Sequence, residues 1–233
     1  MRRPALATIA AMPTLYLVRH GQASFGQADY DQLSELGARQ CQALGRYFAE
    51  RGVPFEAVLR GTLRRHAQSL AALAGGFGAL PEALEWPGLN EYDSEALIRS
   101  VHSGPLAAPD SPEVYRAHFR LLRRGLAAWM AGQVQPRGMP NYVDFVAGIT
   151  AALDHVRARH AGNVLLVSSG GPIATAVGQV LGTAAETTIE LNLRIRNSAL
   201  TEFAFTPKRH MLVAYNHLPH LDQPGRADWV TYT

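Results

Sequence analysis

The chain has 233 residues, of which 47% are hydrophobic and 18% charged, the ordinary profile of a globular protein with one large domain. Its 22 Lys and Arg against 19 Asp and Glu give a net charge of +3, without a lysine-rich run or interleaved aromatic residues. This composition argues against a nucleic-acid-binding protein and favours a small anionic partner.

The N-terminal residues resemble a secretory signal peptide in their basic start, but their apolar segment is shorter than is typical of one. The apolar stretch at residues 5–11 is short, and the following run at residues 15–18 is needed for a strand. We therefore interpret residues 1–12 as a disordered extension, with an upstream choice of start site as the alternative for residues 1–11, and residues 13–233 as a single domain. No stretch approaches about 18 uninterrupted apolar residues, so the sequence predicts no membrane span.

Cys41 is the only cysteine in the sequence, so an intramolecular disulfide is impossible. A single unpaired cysteine is typical of a protein in a reducing compartment, and we expect a cytoplasmic location. Cys41 lies at helical spacing from Leu44 and Phe48, which predicts that its thiol packs in the core.

Predicted strands and helices alternate along the chain. Short apolar runs predict strands at 15–18, 57–59, 164–167, 200–205 and 211–215. Helical periodicity bounded by Gly and Pro predicts helices at 34–51, 62–74, 112–130, 141–160 and 172–181. This alternation indicates an α/β three-layer sandwich, with a mostly parallel central sheet flanked by helices. Residues 92–140 break the pattern with turns around one amphipathic helix, and we interpret them as an inserted cap or lid.

Arg19, His20 and Gly21 follow directly on the first predicted strand. Open α/β sheets place their active sites at this end of their strands. A neutral imidazole is a nucleophile, and the planar guanidinium of Arg19 matches phosphate oxygens. The tripeptide alone leaves two interpretations open: a phosphoryl-transfer site with an exposed His20, or a strand that ends in a solvated arginine and a structural histidine.

Five later segments decide between them by their order and spacing. They are LSELGARQ at 33–40, GTLRRHA at 61–67, LNE at 89–91, VSSGGPI at 167–173 and NSAL at 197–200. With the Arg-His-Gly motif, they resemble the histidine phosphatase superfamily of phosphoglycerate-mutase-like proteins, from Leu15 to Asn216. The family's corresponding patterns are L-S-x-x-G-x-x-Q, S-P-L-x-R-A, L-x-E, V-S-H-G-G and Asn-Ser. The resemblance implies a phosphoglycerate-mutase-like fold with an inserted cap.

The resemblance also implies the site residues: catalytic His20 and Glu91, and phosphate-binding Arg19, Arg65, Ser169 and Gly170. Glu85, beside the apolar Trp86, remains a rival to Glu91 as the proton donor. No metal or cofactor is implied, because the two arginines supply the positive charge.

Ser169 departs from the family pattern, since it stands where the family has its second active-site histidine. A hydroxyl donates one hydrogen bond to a phosphate oxygen but supplies no charge, and losing a charge-assisted contact costs about 1.5 to 3 kcal/mol. His66 is a candidate substitute, although a helical histidine at this position is expected to face solvent.

The expected function is a metal-independent phosphatase that hydrolyses phosphomonoesters through a phosphohistidine intermediate. Residues 22–33 lack the Trp-Asn that mutases of this family carry, which disfavours the alternative of a mutase-type phosphotransferase. A catalytically weakened phosphate-binding pseudoenzyme is the other alternative, against which His20 and Glu91 together argue. The expected partner is a small phosphorylated substrate rather than nucleic acid or membrane, and monomer and homodimer both stay open.

Overall fold

In the computed structural model, which describes residues 12–24, 31–105 and 111–232, six strands form one sheet. Their order across the sheet is β3-β2-β4-β1-β5-β6. The strands are β1 (Thr14–Arg19), β2 (Ala57–Arg60), β3 (Ala83–Glu85), β4 (Val164–Ser168), β5 (Leu200–Thr206) and β6 (Arg209–His217).

The sheet is mixed, and most of its strands run in one direction. The pairs β1–β4, β2–β4 and β2–β3 are parallel, while β5 is antiparallel to both β1 and β6. The predicted α/β fold with a mostly parallel sheet is confirmed. Because β1, β2 and β4 are parallel neighbours, their carboxyl ends meet at one edge of the sheet, where His20 follows β1.

Helices cover both faces of the sheet. They are α1 (Glu35–Glu50), α2 (Arg64–Phe77), α3 (Ser94–Val101), α4 (Pro112–Met130), α5 (Tyr142–Arg159), α6 (Gly170–Leu181) and α7 (Ala185–Arg194), with 3-10 turns at Pro87–Leu89 and Ala227–Trp229. Ser34, Asp93, Ser111 and Asn141 each cap the helix that follows with a side-chain oxygen, which fixes where α1, α3, α4 and α5 begin.

The hydrophobic core consists of two clusters, one on each face of the sheet, and strand β4 contributes to both. Its residues are all buried, and successive side chains point to opposite faces. Leu165 and Val167 pack with α1 and α2, whereas Val164 and Leu166 pack in the larger cluster that includes α5 and α6. Cys41 is buried in the core, as predicted, and lies on the α1 and α2 side, where burial raises the pKa of its thiol to about 11.

The predicted elements match the observed ones to within a few residues, with three additions. Strand β3 and helices α3 and α7 were not predicted, and residues 92–140 hold two helices, α3 and α4, rather than one. Arg123 of α4 forms ion pairs with Glu186 and Glu190 of α7, so α4 is fastened to the main body of the fold. Of the predicted N-terminal extension, all but Met12 lies outside the described residues.

Within the described ranges, none of the helices is both long and apolar enough to cross a membrane.

Candidate active site

His20 is held by its backbone between the ends of β4 and β5. Its N–H donates to the carbonyl of Ser168 at 2.8 Å, and its carbonyl accepts from the N–H of Ser198 at 3.1 Å. Only 2% of the residue is exposed, so the expectation of an exposed His20 is wrong. The neighbouring strand ends enclose it, and its imidazole therefore sits in a largely water-excluded site.

The imidazole of His20 has a defined tautomer. Its Nδ1 lies 2.7 Å from the carbonyl oxygen of Gly21, and because that oxygen only accepts, Nδ1 carries the proton. Burial, followed by the charges of Arg19 and Arg65, lowers the pKa of His20 well below its usual value. The ring is therefore neutral, and Nε2 keeps the lone pair that a nucleophile requires.

Two arginines lie beside this ring, and both are nearly buried. Arg19 donates from Nη1 to the carbonyls of Ile195 at 2.5 Å and Tyr232 at 2.9 Å, which fixes its guanidinium. Arg65 donates from Nη1 to Asp31 at 2.8 Å and reaches Ser169 Oγ from Nη2 at 3.5 Å. The structure thus brings both predicted phosphate-binding arginines to one place.

Asp31 is a site residue that sequence reasoning missed. Besides its ion pair with Arg65, its carboxylate accepts from the backbone N–H of Arg64 at 2.8 Å, at the first turn of α2. A carboxylate is stabilised at a helix N-terminus, so Asp31 fixes both the helix start and the arginine. It lies 34 positions from Arg65, and no local pattern links the two.

Glu91 lies against the N-terminus of α6, where its carboxyl group contacts Gly171. Its Oε2 accepts from the N–H of Gly171 at 3.2 Å, and its Oε1 accepts from the N–H of Tyr92 at 3.3 Å. Burial of the carboxyl group raises its pKa, and this outweighs the opposing effects of those N–H groups and of Arg65 and Arg19. The shift favours the protonated form of Glu91 in comparison with an exposed carboxyl group, which suits a proton donor.

Glu85, the rival proton donor, lies elsewhere. It ends β3, forms an ion pair with Arg60 at 2.5 Å and has a side chain that is 57% exposed. Trp86 was expected to surround Glu85 with apolar atoms and so to favour its protonated form, but the side chain of Glu85 is open to solvent. The geometry favours Glu91 for the role of acid.

Ser169 directly precedes α6, whose first residue, Gly170, is buried. Serine at this position usually caps the helix with its hydroxyl, but Ser169 makes no such bond. Its Oγ lies instead 2.7 Å from Nε2 of His66, and the residue is fully buried. Ser169 therefore faces the arginine and histidine cluster rather than the helix.

The expectation that His66 faces solvent is wrong. Arg65, His66, Ser69 and Leu73 form the buried face of α2, and His66 is 0% exposed. Its ring centroid lies 5.9 Å from that of His20. Burial, followed by the charges of Arg65 and Arg60, lowers the pKa of His66 to about 3, so this second imidazole is neutral.

In the described part of the chain, no group of three or more His, Cys, Asp or Glu side chains is arranged to hold a metal ion. The cationic groups that face His20 are the guanidinium groups of Arg19 and Arg65.

Comparison with known proteins agrees with this geometry. The model of the histidine phosphatase superfamily (branch 1) matches residues 15–218. The chain belongs to the histidine phosphatase superfamily. No curated protein matches it significantly in sequence.

Solved structures share the histidine phosphatase fold at low identity. A mycobacterial glucosyl-3-phosphoglycerate phosphatase is 22% identical, with a TM-score of 0.61 over 88% of this chain and 98% of that one. A phosphoserine phosphatase from Entamoeba histolytica is 19% identical, with a TM-score of 0.63 over 90% and 100%. A phosphoglycerate mutase from Bacillus anthracis is 18% identical, with a TM-score of 0.61 over 90% and 95%.

Proposed function

We propose that this protein is a metal-independent phosphatase that hydrolyses phosphomonoesters through a phosphohistidine on His20. The observation that carries the proposal is the bond from His20 Nδ1 to the carbonyl of Gly21 at 2.7 Å, in a site that also holds Arg19, Arg65 and Glu91. It gives His20 a free lone pair at Nε2 and leaves the positive charge on the arginines.

In the first step, Nε2 of His20 attacks the phosphorus atom in line, and the bond from phosphorus to the ester oxygen breaks. Arg19 and Arg65 hold the non-bridging oxygens and stabilise the charge of the transition state. Protonated Glu91 gives its proton to the departing alkoxide, which leaves as the alcohol.

In the second step, the carboxylate of Glu91 takes a proton from water, and the resulting hydroxide attacks the phosphohistidine. Inorganic phosphate leaves and neutral His20 is restored. The raised pKa of Glu91 supports this double role, because a group that is protonated before the first step and a carboxylate after it needs a pKa near the working pH.

Hydrolysis is preferred over the two alternatives. A mutase-type transfer lacks support in residues 22–33, which have no Trp-Asn. A weakened pseudoenzyme was suggested by the loss of the second histidine at position 169, and His66 beside Ser169 weakens that argument. We further propose a small phosphorylated substrate, a cytoplasmic location and a cap formed by α3 and α4.

Turnover on a panel of small phosphomonoesters at mildly acidic pH tests the proposal, with His20→Ala as the control. The panel should include phosphoserine and a phosphorylated sugar acid, since names of structurally similar proteins include phosphatases for such compounds. Release of inorganic phosphate that depends on His20 and survives a chelator supports the proposal. Transfer of the phosphoryl group within a sugar acid, without release, would favour the mutase alternative.

A further inference from the structure

Gly61, His66 and Ser169 are three departures from the family's motifs, and they lie in one cluster. The motif S-P-L-x-R-A has serine and alanine where this chain has Gly61 and His66, and V-S-H-G-G has histidine where it has Ser169. His66 contacts Ser169 at 2.7 Å across a separation of 103 positions. Three changes distant in sequence are therefore linked in space.

Gly61 is needed because His66 is present. A Cβ atom at position 61 would lie 2.2 Å from Nδ1 of His66 and 2.7 Å from Oδ1 of Asn90. These distances are far inside van der Waals contact, so the serine of the family motif is incompatible with this position of the His66 ring. The absence of a side chain at Gly61 makes room for an imidazole that enters the site from α2.

The tautomer of His66 follows from its surroundings. Its Nδ1 is buried beside the backbone of Gly61, which partly opposes the lowering of the pKa of His66, but no hydrogen bond of normal geometry forms there, whereas Nε2 lies 2.7 Å from the Ser169 hydroxyl. A buried N–H without an acceptor is costlier than a buried lone pair without a donor. Because the well-formed contact of the ring is the one at Nε2, we assign the proton of the neutral ring to Nε2, as a donor to Ser169 Oγ.

This donation determines where the Ser169 hydroxyl points. A hydroxyl oxygen has two lone pairs and one proton. One lone pair accepts from His66 Nε2 at 2.7 Å, and the other faces Arg65 Nη2 at 3.5 Å. With both lone pairs facing donors, the proton of Ser169 is left for a further acceptor, and a phosphoryl oxygen held by Arg65 would be such an acceptor.

We propose that His66 is a positioning residue that acts through Ser169, so that the pair replaces the family's second histidine as a hydrogen-bond donor to the phosphoryl group. This inference rests on the proposed phosphatase function and adds a residue to its site. The imidazole holds the hydroxyl in one orientation before substrate binds, and a preorganised donor stabilises transition-state charge without reorganisation. The two linked groups also polarise one another.

A double-mutant cycle tests the pair, with His66→Ala, Ser169→Ala and both together. The readouts are kcat, KM, the affinity for inorganic phosphate and the inhibition constant of orthovanadate. Each single variant is expected to weaken oxyanion binding and kcat/KM by roughly 10-fold to 100-fold. Because His66 acts through Ser169, the double variant should lose little more than either single variant. If the fold-loss of the double variant equals the product of the two single fold-losses, the residues act independently and the proposal is overturned.

Two further variants separate positioning from stability. His66→Gln places an amide N–H near the position that Nε2 of the imidazole occupies in the wild type. It should recover part of the oxyanion affinity that is lost in His66→Ala. His210→Ala is the matched control: this half-buried histidine packs on Phe203 and Phe205, near the end of the sheet where β1 begins, and its removal should lower Tm with oxyanion affinity unchanged. If His66→Ala behaves like this control, the pair has only a structural role.

Moving the imidazole provides the strictest test. Ser169→His alone should perturb the site, because the new ring would meet His66, whereas H66A/S169H frees that space and should recover activity above His66→Ala. If H66A/S169H is no more active than His66→Ala, the result would contradict the proposal that His66 and Ser169 together replace the second histidine. If the wild type releases no phosphate from any ester but binds inorganic phosphate in a manner that depends on both residues, the proposed function fails while the pair stands.

Discussion

The N–H of Gly171 donates to Oε2 of Glu91 at 3.2 Å, and a Cβ atom on Gly171 would lie 2.2 Å from Oε1 of the same carboxyl group. The first turn of α6 thus approaches Glu91 so closely that only glycine fits. The contact orients the carboxyl group, and burial raises its pKa. Any side chain at position 171 must displace the proposed proton donor.

Gly171→Ala should therefore slow esters with poor leaving groups by about 10-fold to 100-fold or more, since general acid catalysis is worth about 10²- to 10⁴-fold. Activated aryl phosphates, whose leaving groups need little protonation, should be affected much less. The ratio of kcat/KM for an alkyl and an aryl phosphate measures this. Gly75→Ala is the control, because a Cβ there meets no atom within 4 Å, and it should leave both rates unchanged. Equal losses on both esters would argue against Glu91 as the acid.

Glu91→Gln should stabilise the protein at neutral pH while impairing catalysis. The pKa of Glu91 is raised in the folded state, so its contribution to stability is complete below the unfolded pKa of about 4.3 and is lost as pH rises through the folded pKa. An uncharged amide avoids this loss and can still accept from Gly171. Each kcal/mol gained raises Tm by about 2 to 4 °C. Thermal unfolding should show the gain at pH 7.5 and little at pH 4, and a gain that is equal at both would contradict the raised pKa.

His220→Gln should make the protein less sensitive to acid. Burial, followed by the charge of Arg226, lowers the pKa of His220 to about 3, and its Nε2 lies 2.9 Å from Ser198 Oγ. A lowered pKa stabilises the fold above the unfolded pKa of about 6.5, and this stability is lost as pH falls toward 3, at up to about 1.4 kcal/mol per pH unit. Urea unfolding at pH 7 and pH 5 should show a smaller loss for the variant. An identical loss would place the acid sensitivity in other groups.

Arg65→Lys should weaken phosphate binding although the charge is retained. Lysine lacks the planar fork by which Arg65 contacts both Asp31 and Ser169, and a single ammonium group cannot replace both contacts. We expect kcat/KM to fall by roughly 10-fold or more. Arg64→Lys changes the preceding, exposed residue, whose backbone contact with Asp31 is kept, and should stay near the wild-type rate. A loss as large as that of Arg65→Lys would point to a disturbed helix start instead.

The sequence allowed most of the sheet, and the grouping of Arg19, His20 and Arg65 in space, to be predicted for a physical reason. Short buried strands such as β4 are continuous apolar runs, and the motifs follow strand ends that meet at one edge of the sheet. His66 was misplaced because its position depends on the missing side chain of Gly61 and the small one of Ser169, which are far apart in sequence. Asp31 was missed because its contacts with α2 form only in the folded chain.

The most direct test of the account is to trap a phosphoryl group on His20. Wild type, His20→Ala and the control His210→Ala, which alters a half-buried histidine packed on Phe203 and Phe205, would be mixed with a radiolabelled phosphomonoester and quenched under alkaline denaturing conditions that preserve phosphohistidine. We expect label on His20 in the wild type and in the control. In His20→Ala we expect no label and a loss of turnover on the order of 10³-fold or more. Label on another residue, or turnover retained without His20, would contradict the account.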